Sequence, residues 1–186
     1  MPNTLDMQVR AVDGDARTIT GVVAPYDEVS YVTPDPAGER IMRGAFAKSI
    51  SQVGTKVRLF VGHENRGASV GHAVEWIDDP AGLSATFAIS PSRRGDEALD
   101  DARNDGFGGM SVGFLPLQQR RGPDGVREVR EARLMEVSLV GVPAYASARV
   151  LAVRHANLDE LLAPFANRPV VDLSPIPAVW LYDSGR

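Results

Sequence analysis

Residues 109–117 are Gly-Met-Ser-Val-Gly-Phe-Leu-Pro-Leu, and Ser111 lies inside a Gly-x-Ser-x-Gly pattern whose flanking structure separates two possible folds. The same pattern surrounds the nucleophile of α/β-hydrolases, where a strand leads into the serine, a helix follows it, and an acid and a histidine come later in the chain. Here residues 112–117 form an apolar, strand-like run that contains a proline and has no helical period. We therefore expect a continuous strand at Ser111 and reject the strand-to-helix turn.

The rest of the chain also has the pattern of a mainly β protein with a few helices. Its 18 glycines and 13 prolines separate short apolar runs, which is typical of antiparallel β proteins. The predicted strands cover residues 7–12 and 18–24, joined by a turn at 13–15, and then 57–61, 70–77, 83–89, 111–117, 126–142 and 148–153. One predicted helix carries Phe46, Ile50 and Val53 on one face, a second is capped by Ser92 and covers residues 93–105, and residues 28–39 are predicted to be an exposed loop.

The predicted domain covers residues 1–154, and a Pro-rich tail covers residues 155–186. A chain of 186 residues is long enough for one domain with a hydrophobic core. Within the tail, Pro164 interrupts a short helical apolar pattern, and further prolines follow it. We expect this tail to be mobile or to bind a partner.

Composition excludes several classes of function. The formal net charge of −4 argues against non-specific binding to nucleic acid or to an anionic membrane. The absence of cysteine excludes disulfides, thiolate metal sites and a cysteine nucleophile. No run approaches the roughly 18 apolar residues of a membrane span, and the N-terminal residues lack a signal-peptide pattern. We expect a soluble cytosolic protein.

Ser111 and His63 are the candidate nucleophile and general base. The glycines on either side of the serine have no Cβ that would keep a substrate backbone away. His63 follows the apolar run 57–61, and a histidine is the usual base for a serine hydroxyl. Either residue alone is more often structural than catalytic. Together they indicate a serine hydrolase, and a peptidase before other kinds.

The other titratable candidates fit the chemistry less well. Glu64 neighbours His63, but adjacent residues of a strand point to opposite faces. His72 lies in an alternating segment and is expected to be a strand residue, whereas His155, the only histidine after Ser111, would serve only the α/β-hydrolase design. Three histidines without paired spacing do not indicate a zinc site. We therefore expect no metal and no cofactor.

Seven segments of the chain, in order, resemble the prohead proteases of HK97-type tailed bacteriophages. They are GVVAPY at 21–26, ERIMRGAF at 39–46, VGHE at 61–64, VG at 70–71, GL at 82–83, GMSVGF at 109–114 and EVSLVGVPA at 136–144. Each segment is short, but their order and spacing extend over most of the chain, and the tail after His155 is outside the resemblance.

The resemblance implies a fold, an activity and partners. The fold would be an antiparallel β-barrel with a few surrounding helices, as in the herpesvirus assembly proteases. The activity would be that of a serine endopeptidase that works in the bacterial host cytoplasm, inside the immature prohead. Its substrates would be the scaffold polypeptide, the scaffold-like N-terminal segment of the major capsid protein, and the protease itself. Dimerisation would be expected by the same analogy, with no nucleic acid and no membrane as partners.

The resemblance also implies a role for each site residue. Ser111 matches the nucleophile, His63 matches the general base, and Glu136 occupies the place of the third triad member. The alternative for Glu136 is a structural ion pair with Arg127, Arg130 or Arg133. A second alternative concerns the whole protein, which would keep the barrel but act as a non-enzymatic capsid-assembly factor.

The donors of the oxyanion hole stay open at this level. The candidates are backbone N–H groups at residues 112–113 or in the segment 141–144. The related viral enzymes have an arginine in the loop after the third triad member, whereas residues 141–144 contain none.

Overall fold

The computed structural model describes residues 17–33, 35–64 and 67–154. In these ranges the strands are β1 Thr18–Pro25, β2 Val29–Ser30, β3 Glu39–Ile41, β4 Arg58–Val61, β5 Gly71–Asp79, β6 Gly82–Ile89, β7 Gly109–Arg121, β8 Arg127–Val140 and β9 Val150–Arg154. The α-helices are α1 Ala47–Val53 and α2 Arg93–Arg103. The predicted strand 7–12, its turn at 13–15 and the tail 155–186 lie outside the described residues.

All nine of these strands belong to one sheet, in the order β2-β3-β8-β4-β5-β6-β1-β9, with β7 paired to β8. The mainly β fold class is confirmed, since the sheet curls and only a few helices accompany it. The expectation of an antiparallel barrel needs one correction, because β3 and β4 both run parallel to β8. Parallel neighbours need a crossover connection, and the segment containing α1 lets β3 and β4 run in the same direction.

β8 is the central strand of the region that carries the candidate site. One edge pairs with β7 along almost its whole length. The other edge pairs with β3 near residues 127–129 and with β4 at residues 137–139. β8 therefore brings together segments that are far apart in the sequence.

The predicted elements mostly occur where the patterns placed them. Phe46 is buried at the start of α1, Ile50 and Val53 pack against the core, and the helix ends at Gly54. Ser92 caps α2 by accepting a hydrogen bond from Gly95 N, and this helix buries Ala98, Leu99 and Ala102. The segment 28–39 was wrongly predicted to be loop throughout, because Val29 and Ser30 pair with Arg40 and Glu39.

The hydrophobic core is formed by side chains of the strands and of both α-helices. Its largest fully buried side chains include Phe46, Phe87, Ile19, Ile41, Leu59, Leu83, Leu99, Met110 and Leu139. Phe46 also contacts Phe114 edge to face, with ring centroids 5.6 Å apart. The described residues contain no helix that is long and apolar enough to span a membrane.

Candidate active site

Three neighbouring strands place the candidate residues on one face of the sheet. Ser111 on β7 is in register with Ser138 on β8, and Ser138 is in register with Phe60 on β4. Gly113 is in register with Glu136, two residues further along each strand. Because side chains at registered positions point to the same face and strand residues alternate with a period of two, Ser111, Ser138 and Glu136 share that face.

The opposite face of the same strands enters the core. Met110, Val137, Leu139 and Leu59 are all fully buried there. The alternation in Glu-Val-Ser-Leu-Val at 136–140 is therefore the alternation of two faces. Val137 and Leu139 anchor β8 in the core, and Glu136 and Ser138 lie on the site face.

A β-bulge at Met135 sets which residues of β8 belong to each face. Gly113 pairs with Glu136 and Phe114 pairs with Leu134, so Met135 is an extra residue in β8. Leu134 is buried in the core, whereas Met135 is 60% exposed. Residues two apart in a regular strand point to the same face. Because the extra residue shifts the register by one, Leu134 and Glu136 point to opposite faces instead.

The Glu136 carboxylate is held by two side chains. Its Oε1 lies 2.9 Å from His63 Nδ1, and its Oε2 accepts a hydrogen bond of 2.6 Å from Ser138 Oγ. An ideal Cβ on Gly113 would lie 2.5 Å from Glu136 Oε1. Only glycine at position 113 therefore leaves room for the carboxylate in this position.

His63 reaches the carboxylate through a reversal of the chain after β4. Gly62 and His63 both have left-handed backbone angles, with φ of 63° and 60°, and Gly62 N donates a 2.8 Å hydrogen bond to Leu139 O. A left-handed conformation at a non-glycine residue costs about 1–3 kcal/mol and is concentrated at functional sites. The cost is offset by the hydrogen bonds that fix this turn to β8.

The contact with Glu136 also defines which nitrogen of His63 is available for chemistry. An ionised carboxylate only accepts hydrogen bonds, so Nδ1 carries the proton that it donates to Glu136. Nε2 is then the basic nitrogen, and the side chain is 48% exposed. This is the tautomer that a serine-activating histidine requires.

Ser111 lies on the same face, and the residue is 8% exposed. Among the described residues its hydroxyl makes no hydrogen bond, so His63 and Glu136 are brought into contact while Ser111 is brought only to the same surface. A catalytic hydrogen bond between serine and histidine often shortens only in the complex with substrate.

The strand β7 continues to Arg121, so no helix follows Ser111 directly and the α/β-hydrolase arrangement is absent.

The family model of the caudovirus prohead serine proteases matches residues 5–162. The chain belongs to this family. All seven of the segments quoted above fall inside the matched range, including those that contain His63, Ser111 and Glu136.

The chain was also compared with solved structures and with curated proteins. The solved structure of KSHV protease in complex with a hexapeptide phosphonate inhibitor is similar at a TM-score of 0.38 and 14% identity, over 69% of this chain and 61% of that chain. The match thus covers less than two thirds of the KSHV protease chain. Comparison with curated proteins gives no match.

The other residues that the sequence offered as site candidates do not contact Glu136 in the described part of the chain. Glu64 is paired with Arg94 at 3.7 Å, His72 is exposed on β5, and His155 lies outside the described residues. Two of the three arginines proposed as alternative partners of Glu136 pair with other acids: Arg127 binds Glu39 and Arg130 binds Glu128. The ranges that the structure describes hold no group of three or more His, Asp or Glu placed to bind a metal.

The segment after β8 is fixed next to the start of β7. Tyr145 is buried and donates a 3.2 Å hydrogen bond to Glu39 Oε1, and burial together with this carboxylate raises the pKa of the tyrosine. Ser30 Oγ donates a 2.5 Å hydrogen bond to Ala144 O. An ideal Cβ on Gly108 would lie 2.1 Å from Gly141 O, so the segment 141–144 lies close to the residues that precede Ser111.

Sequence reasoning missed Ser138, although a signal for it was present. The spacing Glu136-x-Ser138 in a predicted strand places both side chains on one face. Hydroxyl and carboxylate at that spacing can form a hydrogen bond, and here they do.

Proposed function

We propose that this protein is the serine endopeptidase of phage capsid maturation, with Ser111 as nucleophile, His63 as general base and Glu136 as the third triad member. The observation that carries the proposal is the 2.9 Å contact between His63 Nδ1 and Glu136 Oε1 on the face that also carries Ser111. Membership of the prohead serine protease family supports the peptidase activity.

The geometry supports a standard order of proton transfers. Ser111 Oγ attacks the scissile carbonyl carbon while His63 Nε2 takes the hydroxyl proton. The Glu136 carboxylate stabilises the resulting imidazolium through Nδ1. His63 then gives the proton to the leaving amine, and a water molecule activated in the same way releases the acyl group from Ser111.

The position of Ser111 in the sheet favours an extended polypeptide as substrate. Within the described ranges β7 pairs only with β8, apart from a hydrogen bond of 3.2 Å from Met110 N to Ala148 O. The second backbone edge of β7 is thus available beyond Met110, and an extended chain can pair with such an edge. Gly109 and Gly113 do not serve this approach, contrary to the expectation from the sequence, because an ideal Cβ on them would lie 1.9 Å from Ala148 O and 2.5 Å from Glu136 Oε1.

We assign the substrates by family resemblance: the scaffold polypeptide, the scaffold-like N-terminal segment of the major capsid protein, and the protease itself. The enzyme would act inside the immature prohead in the bacterial host cytoplasm, as a homodimer by analogy with the herpesvirus enzymes. Sedimentation of the purified protein measures its oligomeric state directly.

Co-expression with the major capsid protein of the same phage tests the proposed activity. Ser111→Ala and His63→Ala should each abolish cleavage, because either change removes a member of a unit that acts together and costs about 10⁴-fold or more in rate. Gel electrophoresis and mass spectrometry of the capsid protein give the measurement. His72→Ala on β5 is the matched control, since it removes an exposed histidine away from the site.

The outcomes separate the competing functions. Full processing by Ser111→Ala or His63→Ala contradicts the proposal. Dependence on His155 with an active His63→Ala variant would favour the α/β-hydrolase design instead. Assembly that needs the protein but involves no cleavage, even with the wild type, would favour a non-enzymatic assembly factor.

A further inference from the structure

Ser138 is a hydroxyl at the centre of the candidate site with no role in the triad itself. We propose that Ser138 is a positioning residue that holds the Glu136 carboxylate in the orientation that His63 requires. This inference rests on the proposed function and adds a fourth residue to its machinery.

The hydrogen bond from Ser138 has a defined direction and a short length. A carboxylate oxygen only accepts, so Ser138 Oγ donates to Glu136 Oε2, at 2.6 Å. Lengths of about 2.5–2.7 Å are typical of hydroxyl-to-carboxylate bonds, which are about twice as strong as bonds between neutral groups. Ser138 is 0% exposed, so water does not compete for its hydroxyl.

The two oxygens of Glu136 have different partners, and this fixes the plane of the carboxylate. Oε1 accepts from His63 and Oε2 accepts from Ser138. On the neighbouring strand, the registered residue is Gly113, which has no side chain to support the carboxylate. Ser138 therefore supplies the support that Gly113 cannot, and without it the carboxylate is free to rotate away from Nδ1.

The place of Ser138 in β8 also separates it from ordinary buried serines. Its chain neighbours Val137 and Leu139 are fully buried on the core face, whereas Ser138 is in register with Ser111 on the site face. A hydroxyl of α1 that contacts the same strand offers a comparison, since Ser49 Oγ accepts a 3.0 Å hydrogen bond from Leu134 N of β8. Ser49 supports the backbone of β8 but does not touch Glu136.

A fluorophosphonate probe on the full chain measures the reactivity of Ser111 without a known substrate. In Ser138→Ala we expect the maximal acylation rate to fall about tenfold to a hundredfold, the usual effect of losing one hydrogen bond to a charged group. The probe concentration for half-maximal rate should change by less than about twofold, because the hydroxyl does not bind the probe. Ser138→Thr, which keeps a hydroxyl and suits a strand, should recover most of the rate.

Ser49→Ala is the matched control, and a double-mutant cycle identifies the route of action. Ser49→Ala should lower the melting temperature while Ser111 keeps its acylation rate. In a Glu136→Gln background, Ser138→Ala should have little further effect, since residues that act through one another are not additive. If Ser138→Thr does not fold, the cycle decides alone.

Three results would overturn the inference. They are a wild-type acylation rate in Ser138→Ala, an equal fall in rate with and without Glu136, and a fall that Ser49→Ala reproduces. Failure of the proposed function looks different: the probe would then leave Ser111 of the wild type unlabelled, or His63→Ala would be labelled as fast as the wild type.

Discussion

At the scale of single residues, the charge of Glu136 should matter more than its shape. Glu136→Gln keeps the size of the side chain, but the neutral amide neither stabilises an imidazolium nor fixes the Nδ1–H tautomer of His63. We expect cleavage of the capsid protein to slow by about 10³–10⁴-fold, with the melting temperature close to that of the wild type. Single-turnover cleavage and a thermal melt measure the two quantities.

A cleavage rate near that of the wild type would reduce Glu136 to a structural role. Glu136→Ala is less informative, because it also leaves the buried Ser138 hydroxyl without its partner and so changes stability by a separate route.

At the scale of elements, the bulge at Met135 is the device that turns Glu136 away from the core. Deleting Met135 should inactivate and destabilise the protein, because a one-residue slip exposes either Leu134 or Val137 and Leu139. Met135→Ala keeps the residue count and truncates an exposed side chain, so its stability should change by no more than about 0.5 kcal/mol. Thermal melts and probe labelling of Ser111 compare the two variants.

The outcome for the deletion variant is decisive for this account of the bulge. A deletion variant with wild-type labelling would mean that β8 recovers its register elsewhere, and that the bulge does not orient Glu136. A large loss of stability or of Ser111 labelling in Met135→Ala would instead mean that the Met135 side chain, and not the extra residue, orients Glu136.

The elements also show what the sequence could and could not predict. The strand through Ser111, the hairpin of β5 and β6, and both helices follow from local periodicity and from turn residues. The bulge at Met135 cannot be predicted in this way, because a bulge is defined by pairing with the partner strand. Apolar alternation along one strand shows only which of its residues could be buried. The short strands β2 and β3 were missed because Pro36 and Gly38 dominate the local pattern, whereas β3 pairs with the distant β8 and β2 pairs with β3.

For the site, the local pattern indicated Ser111 and His63 and the family resemblance added Glu136, but their contacts needed the fold. His63 follows β4 and Glu136 lies on β8, and the pairing of Leu59 with Val137 is what brings them together. Parallel pairing between such distant segments leaves no local signal. Ser138 could have been predicted, because the spacing Glu136-x-Ser138 in a strand places its hydroxyl beside the Glu136 carboxylate.

At the scale of the whole molecule, ion pairs connect the far end of the β7–β8 hairpin to β3 and to the segment before it. Arg121 binds Asp35 at 2.8 Å and Arg40 binds Asp124 across this junction, whereas Arg120 and Arg130 bind Glu128 within the hairpin itself. The pKa of each of these acids is lowered in the folded protein. The largest cause for Asp35 is a hydrogen bond from Ala37 N, and for Asp124 and Glu128 it is a hydrogen bond from an arginine side chain.

The lowered pKa values predict how stability changes with acid. A carboxyl group whose pKa is lower in the folded state stabilises it above the unfolded pKa, about 3.9 for Asp and 4.3 for Glu, and this contribution is lost as pH falls through the folded pKa. The triple variant Asp35→Asn, Asp124→Asn, Glu128→Gln should therefore melt below the wild type near neutral pH. The two melting curves should converge as the pH falls below about 4.

Asp105→Asn is the control for this titration, because Asp105 is exposed and Asn tolerates its left-handed backbone. The melting temperature of Asp105→Asn should equal that of the wild type at every pH. A constant offset of the triple variant from pH 7 to the acid limb would show that lost packing, and not charge, explains its melting. Convergence, in contrast, would mean that the ionised acids hold the far end of the β7–β8 hairpin together and attach it to β3 and to the segment before it. Because β8 runs from this end of the hairpin to Glu136, acid would then loosen the same strand that carries the site.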